Sequence, residues 1–219
     1  MGSIERRKRD QAALRGRILD AARTLFAQSG YEAVTMRRIA GLIDYSPTTI
    51  YLHFRDKDAL IRELCSEDFL SLAAQFRAAR GREEPLERIQ AIGQAFLGFA
   101  LSHPNHYRAM FLAAHPPVPA DQRRIERGNL EEDAWAILVS AVAEAQEAGS
   151  LRRDLGNAEE LAQQFFAGIH GVASLHLVLA EDPWIGWAPV ESAGQRMIEA
   201  LLRGFAPPPA GAPVPGRRP

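Results

Sequence analysis

Residues 35–57 read TMRRIAGLIDYSPTTIYLHFRDK, from Thr35 to Lys57. The pattern is two short helices joined by a tight turn at Asp44-Tyr45. The Thr35 hydroxyl is placed to cap the free amides of the first, and Ile39, Ala40 and Ile43 recur at helical spacing on its inner side. Ser46 opens the second helix with Pro47 in its first turn, where a missing N–H costs nothing because it has no helical acceptor. Ile50 and Phe54 then face Ile39, Ala40 and Ile43, with the preceding helix as a third leg. This is helix-turn-helix patterning, in which the second helix enters a major groove whose width matches an α-helix.

The residues left outside that core have chemistry suited to a duplex. Pro47, Thr48 and Thr49 stand at the leading end of the second helix, and threonine offers both a hydroxyl for base edges and a methyl for thymine. Tyr51 and His53 carry polar tips that reach phosphates. Lys57 lies in the first turn of the next helix, where free amides and the helix dipole already favour an anion. Arg37 and Arg38 flank the groove, able to pair with guanine or clamp a phosphate. Upstream, Arg6-Arg7-Lys8-Arg9 reads as a flexible basic arm, a type of segment that enters minor grooves.

Working outward, apolar residues recur at helical spacing almost everywhere and strand patterns are nearly absent, so the fold class is all-α with about nine helices. The first is expected from Gln11 to Ser29, with Leu14, Ile18, Ala22, Leu25 and Phe26 on one face and Gly30 as a left-handed cap. Asp56 caps a fourth helix through Phe76 that breaks at Gly81–Glu84. A fifth spans Pro85 to Ser102, and a short sixth opens at Pro104. Pro116–Pro119 reads as a loop, followed by a seventh helix from about Asp121 to Ala148. Asn157 and Glu160 form a capping-box pattern before an eighth, which ends near Ala180. A ninth covers about Val190 to Arg203. The expected organisation is a basic arm (1–10), a helix-turn-helix domain (11–65), a larger helical domain (66–205) and a Pro-rich unpacked tail (206–219).

Composition bounds the function. With 219 residues, 47% hydrophobic and 24% charged, the chain matches ordinary globular proteins. A lone cysteine, Cys65, forms no internal disulfide and is expected to be a buried, inert thiol. No apolar run is long enough for a membrane helix and no apolar leader is visible, so a cytoplasmic setting is expected. The net charge of −1 hides an asymmetry: residues 1–60 hold 11 Lys/Arg against 7 Asp/Glu, residues 61–219 hold 15 against 20. Only the front is expected to meet a polyanion. No nucleophile elbow, phosphate loop or dinucleotide fingerprint is present, so no enzyme and no cofactor are expected. His103 and His106 have ligand-like spacing but lack a carboxylate or cysteine cluster, so no metal is expected.

The ordered set Thr35, Arg37, Ile39-Ala40, Ser46, Thr49, Ile50-Tyr51, Phe54, Lys57 and Leu60, with the earlier Phe26-Ala27 and Gly30-Tyr31, resembles the tetracycline-repressor (TetR) family of bacterial transcriptional regulators over roughly residues 14–64. The resemblance implies a three-helix DNA-binding domain and a larger C-terminal helical regulatory and dimerisation domain. It puts Thr35, Tyr51, His53 and Lys57 where family members touch phosphates. It puts Arg37, Pro47, Thr48 and Thr49 where they read bases, with Arg38 and Ser46 completing the candidate set. The family usually has glycine at the turn where this chain has Asp44, a residue type that tolerates left-handed geometry. Ser102–Arg108 and Gly168-Ile169-His170-Gly171 resemble the subclass with a WHG-type C-terminal domain, with Ile169 replacing the tryptophan. The partners implied are double-stranded DNA, a small-molecule effector and a second copy of the chain. Phe96, Phe99, Met110, Phe111, Trp135, Phe165, Phe166 and His170 are the candidate effector-lining residues. Val172, Leu175, Ile198, Leu201 and Leu202 are the candidate apolar faces for a dimer. The other reading of the residues is a helical interaction or ligand-binding module without DNA binding.

Overall fold

The structure is a computed structural model that describes residues 3–114, 118–119 and 123–208. Pro116, Pro117, Asp121 and residues 209–219 of the expected loop, helix start and tail lie outside them. Among the described residues every regular element is helical: α1 (Ser3–Ala33), α2 (Met36–Leu42), α3 (Pro47–Tyr51), α4 (Lys57–Ala78), α5 (Pro85–Ser102), α6 (Pro104–Tyr107), α7 (Ala134–Glu147), α8 (Ala158–Leu179) and α9 (Val190–Phe205).

The chain divides into two compact units. One holds residues 1–71 and 102–126, the other 72–101 and 127–219. The first unit therefore recruits a segment from the middle of the span expected to form the C-terminal domain. Its core is one cluster in which Ile18, Ala22 and Phe26 of α1, Ile39 and Ala40 of α2, Ile50 of α3 and Leu60 and Leu64 of α4 are buried together, with Ala109 from the recruited segment. That segment is α6 and a π-helical turn (Arg108–Leu112), whose Tyr107 and Phe111 rings lie 5.2 Å apart, with Phe69 of α4 5.6 Å from Phe111.

A buried ion pair pins this unit. Arg23 of α1 forks onto Asp68 of α4 through Nε (3.1 Å) and Nη2 (2.8 Å), and Asp20 accepts from Nη1 at 2.6 Å. His106 Nδ1 of α6 lies 2.9 Å from the same Asp68 carboxylate. Two charges this deep persist only because each satisfies the other with directed hydrogen bonds. The sequence pattern did not disclose the pair, because 45 residues separate its members.

The second unit packs α5, α7, α8 and α9. Gly93 of α5 and Gly194 of α9 sit where a methyl would press on neighbours: the former meets Phe165 Cζ at 2.9 Å and Ile198 Cδ1 at 3.0 Å, the latter Leu97 Cδ1. Of the candidate dimer residues, Ile198 and Leu202 are buried inside the unit itself, whereas Leu175 is exposed along with Val178. The capping box at Asn157 and Glu160 is formed in both directions.

Three expected boundaries are corrected. The basic run is not a flexible arm: Arg6–Arg9 lie within α1, which starts at Ser3, because Arg, Lys, Gln and Ala are all good helix formers and no breaker interrupts them. Gly30 has the positive φ expected of a cap (76°), but helical residues resume beyond it to Ala33, so it is a kink. Helix α7 starts at Ala134, because Asp133 caps the amides of Trp135 and Ala136 while Gly128 (φ 86°) and the Asn129 side chain bonding Glu131 N hold the preceding residues in turns.

Candidate nucleic-acid interface

Local bonding explains why residues 35–57 take this shape. Thr35 Oγ1 accepts from the Arg38 amide at 3.2 Å, capping α2. At its other end Asp44 takes φ 59° and the Tyr45 amide reaches back to the Ala40 carbonyl at 3.0 Å, the six-residue closure of a Schellman turn. Strain from a non-glycine residue there is about 1–2 kcal/mol. It is outweighed by the buried Ile39, Ile43, Ile50 and Phe54, each worth about 1.5–3 kcal/mol. Ser46 then caps α3, its Oγ accepting from the Thr49 amide at 3.2 Å and lying 2.9 Å from the Thr49 hydroxyl.

Two arginines of α1 hold this motif from behind. Arg17 Nη2 donates to the Ile43 carbonyl at 3.0 Å and its guanidinium lies 5.3 Å from the Tyr45 ring. Arg15 covers the Phe54 ring at 4.5 Å and pairs with Glu63 at 2.8 Å. Sequence reasoning missed both. The available clue was that Arg15 and Arg17 flank the inward positions Leu14 and Ile18.

The sequence-predicted residues are distributed as follows. Thr35, Arg37, Arg38, Ser46, Pro47, Thr48 and Tyr51 are exposed, and Thr49, His53 and Lys57 are partly buried. Among the described residues Arg37 has no acceptor, whereas Arg38 donates through Nη1 to the Ala33 carbonyl at 2.8 Å and so also closes the end of α1. Lys57 is preorganised: its Nζ sits 3.8 Å over the Tyr31 ring, donates to the Tyr31 carbonyl at 3.3 Å and lies 4.0 Å from Glu32. Tyr31 in turn donates to Asp58 and its hydroxyl pKa is pushed up to about 12, first by that hydrogen bond and then by burial. Asp56 caps α4 through the Ala59 amide (2.7 Å), which holds its carboxyl below the usual range.

The candidate effector residues come from both units. Phe96, Phe165, Phe166, Trp135 and His170 belong to the second unit, where Phe166 makes edge contacts with Phe96 (5.2 Å) and Trp135 (6.2 Å) and stacks on His170 (5.4 Å). Burial pushes the His170 imidazole below its usual pKa, favouring the neutral ring. Phe99 is also in this unit and fully buried; Met110 and Phe111 are in the other. No cluster of three or more His, Cys, Asp or Glu able to hold a metal occurs among the described residues. Cys65 is buried, and desolvation pushes its thiol up to about 12.

Comparison with known proteins places this geometry. Residues 18–64 match the family described as bacterial regulatory proteins, tetR family, and residues 89–201 match the tetracyclin repressor-like C-terminal domain. The HTH-type transcriptional repressor Rv1474c of Mycobacterium tuberculosis is 49% identical over 63 residues, 29% of this chain and 34% of that protein. The HTH-type transcriptional regulator UidR of Escherichia coli is 37% identical over 78 residues, 36% of this chain and 37% of that protein. The matched stretch thus spans about a third of the length of these curated relatives. The solved structure of a protein of unknown function from Rhodococcus sp. RHA1 is 28% identical, covers 89% of this chain and 96% of that one, and superposes with a TM-score of 0.68. With the N-terminal pattern laid over the helix-turn-helix and the C-terminal pattern over more than half of the chain, the protein belongs to the TetR family of bacterial regulators.

Proposed function

We propose that this chain is a transcriptional repressor that binds double-stranded DNA sequence-specifically, as a homodimer on a pseudo-palindromic site, and lets go when a small molecule binds its second unit. The observation that carries the DNA reading is the exposure of Thr35, Arg37, Pro47, Thr48 and Tyr51 on a helix-turn-helix whose core buries Ile39, Ile50 and Phe54. Thr35, Tyr51, His53 and Lys57 hold phosphates. Arg37, Pro47, Thr48 and Thr49 face base edges. The helical basic run Arg6–Arg9 adds sequence-independent phosphate contacts, and the protein acts in the cytoplasm without enzymatic activity of its own. Among the described residues no helix is long and apolar enough to cross a membrane.

The effector is held by the half-buried aromatic group of Trp135, Phe166 and His170 over the buried Phe96 and Phe165, with Phe99, Met110 and Phe111 as further candidates. The copies meet along α8 and α9, where Leu175 and Val178 are exposed. A ligand moves the equilibrium off DNA only by its differential affinity for the free and bound conformations.

Titration of genomic fragments at low and high salt tests the reading. Binding is expected to be tight at low salt and to weaken steeply as salt rises, because bound cations release counterions from the duplex. Tyr51→Phe and Lys57→Ala are expected to weaken all sequences alike. Salt-independent binding, or none, rejects DNA recognition in favour of an interaction module.

A further inference from the structure

Ten large hydrophobic side chains among the described residues are exposed, and four of them fall within residues 42–52: Leu42 (56%), Tyr45 (41%), Tyr51 (55%) and Leu52 (82%). A solitary exposed leucine is ordinary; a local cluster marks a contact surface. Helical geometry decides which of the four leads. Ile50 is fully buried and fixes the inner side of α3. At about 100° per residue, Thr48 and Leu52 each lie roughly 160° around the helix from Ile50, one turn apart on the outermost ridge. Leu52 keeps helical backbone angles (φ −69°, ψ −21°), so the ridge runs unbroken through the cap. The whole five-residue helix is roughly 7.5 Å long, shorter than the major groove is wide at about 12 Å, so both residues fit between its walls.

The polar alternatives on this helix are partly engaged. Ser46 and Thr49 pair their hydroxyls with each other at 2.9 Å. The ridge therefore leads with the methyl and hydroxyl of Thr48 and the isobutyl group of Leu52. Arg37, Arg38, Arg55 and Lys57 come from the same motif, a charge setting that favours a polyanion over an apolar protein partner. The major groove of DNA offers such a ridge one apolar group, the thymine C5-methyl.

We infer that the Thr48–Leu52 ridge reads thymine methyl groups, with Leu52 as a specificity-determining residue. This rests on the DNA-binding reading above and gives it a base preference: the preferred site carries thymine facing Leu52. Loss of Leu52 relaxes that preference without weakening the phosphate contacts.

The test begins with selection of duplexes from a random-sequence pool by the full chain. Each thymine of the enriched sequence is then replaced singly by deoxyuridine, which deletes only the methyl. At one thymine per half-site, the replacement is expected to weaken binding about four-fold, the worth of one methyl removed from water. The same replacement is expected to cost nothing in Leu52→Ala or Leu52→Gln, with folding of both variants checked by circular dichroism. A penalty unchanged in both variants, or no penalty at any thymine, overturns the inference while leaving DNA binding in place. Failure to enrich any sequence overturns the DNA-binding reading and this inference with it.

Discussion

At Asp44 the backbone adopts φ 59° so that α2 can end and the Tyr45 amide can return to Ala40. Asp44→Gly removes the Cβ penalty, so the midpoint of thermal unfolding is expected to hold or rise slightly. Asp44→Val places a β-branched residue where it is a true outlier, and a loss of about 1–2 kcal/mol is expected in urea unfolding. The Arg23–Asp68 pair carries a larger penalty for interference. Asp68 is 2% exposed and Arg23 6%, so Asp68→Ala leaves a buried guanidinium with only the exposed Asp20 as its ionic partner. A loss of about 3–5 kcal/mol is expected in the same measurement, well beyond the cost of removing a surface ion pair.

At the scale of elements, short helices are held by caps and long ones by close approach. Helix α3 has five residues and no stability of its own; Ser46, Pro47 and the burial of Ile50 hold it. In the second unit α5, α8 and α9 converge at Gly93, where a Cβ would already stand 2.9 Å from Phe165 and 3.0 Å from Ile198. Gly93→Val forces those side chains off their rotamers in a packed core. A loss of about 1–3 kcal/mol is expected by calorimetry, and a variant at least as stable as the natural chain rejects this packing account.

At the scale of the molecule, the proposed two-fold dimer would carry two α3 helices to successive major grooves and so set the half-site spacing at about one DNA turn. Inserting five base pairs between the half-sites of a selected duplex is expected to abolish two-site binding, and inserting ten to restore part of it, in gel-shift titrations. Binding indifferent to the insertion rejects the paired geometry. Much of this was legible in the chain alone, because the deciding features are local. Caps at Thr35, Ser46, Asp56 and Asn157, the αL residue Asp44, the inward periodicity of Ile39, Ala40, Ile43, Ile50 and Phe54, and the all-helical class each depend on neighbours a few residues away. Tertiary structure alone decided what joins distant residues: Arg23 with Asp68 and His106, Arg17 with the Ile43 carbonyl, the recruitment of residues 102–126 into the first unit, and the edge contact of Trp135 with Phe166. Periodicity tells which side of a helix turns inward, but not which helix it meets there. That choice is made by packing and charge pairing between segments whose separation in sequence carries no local trace.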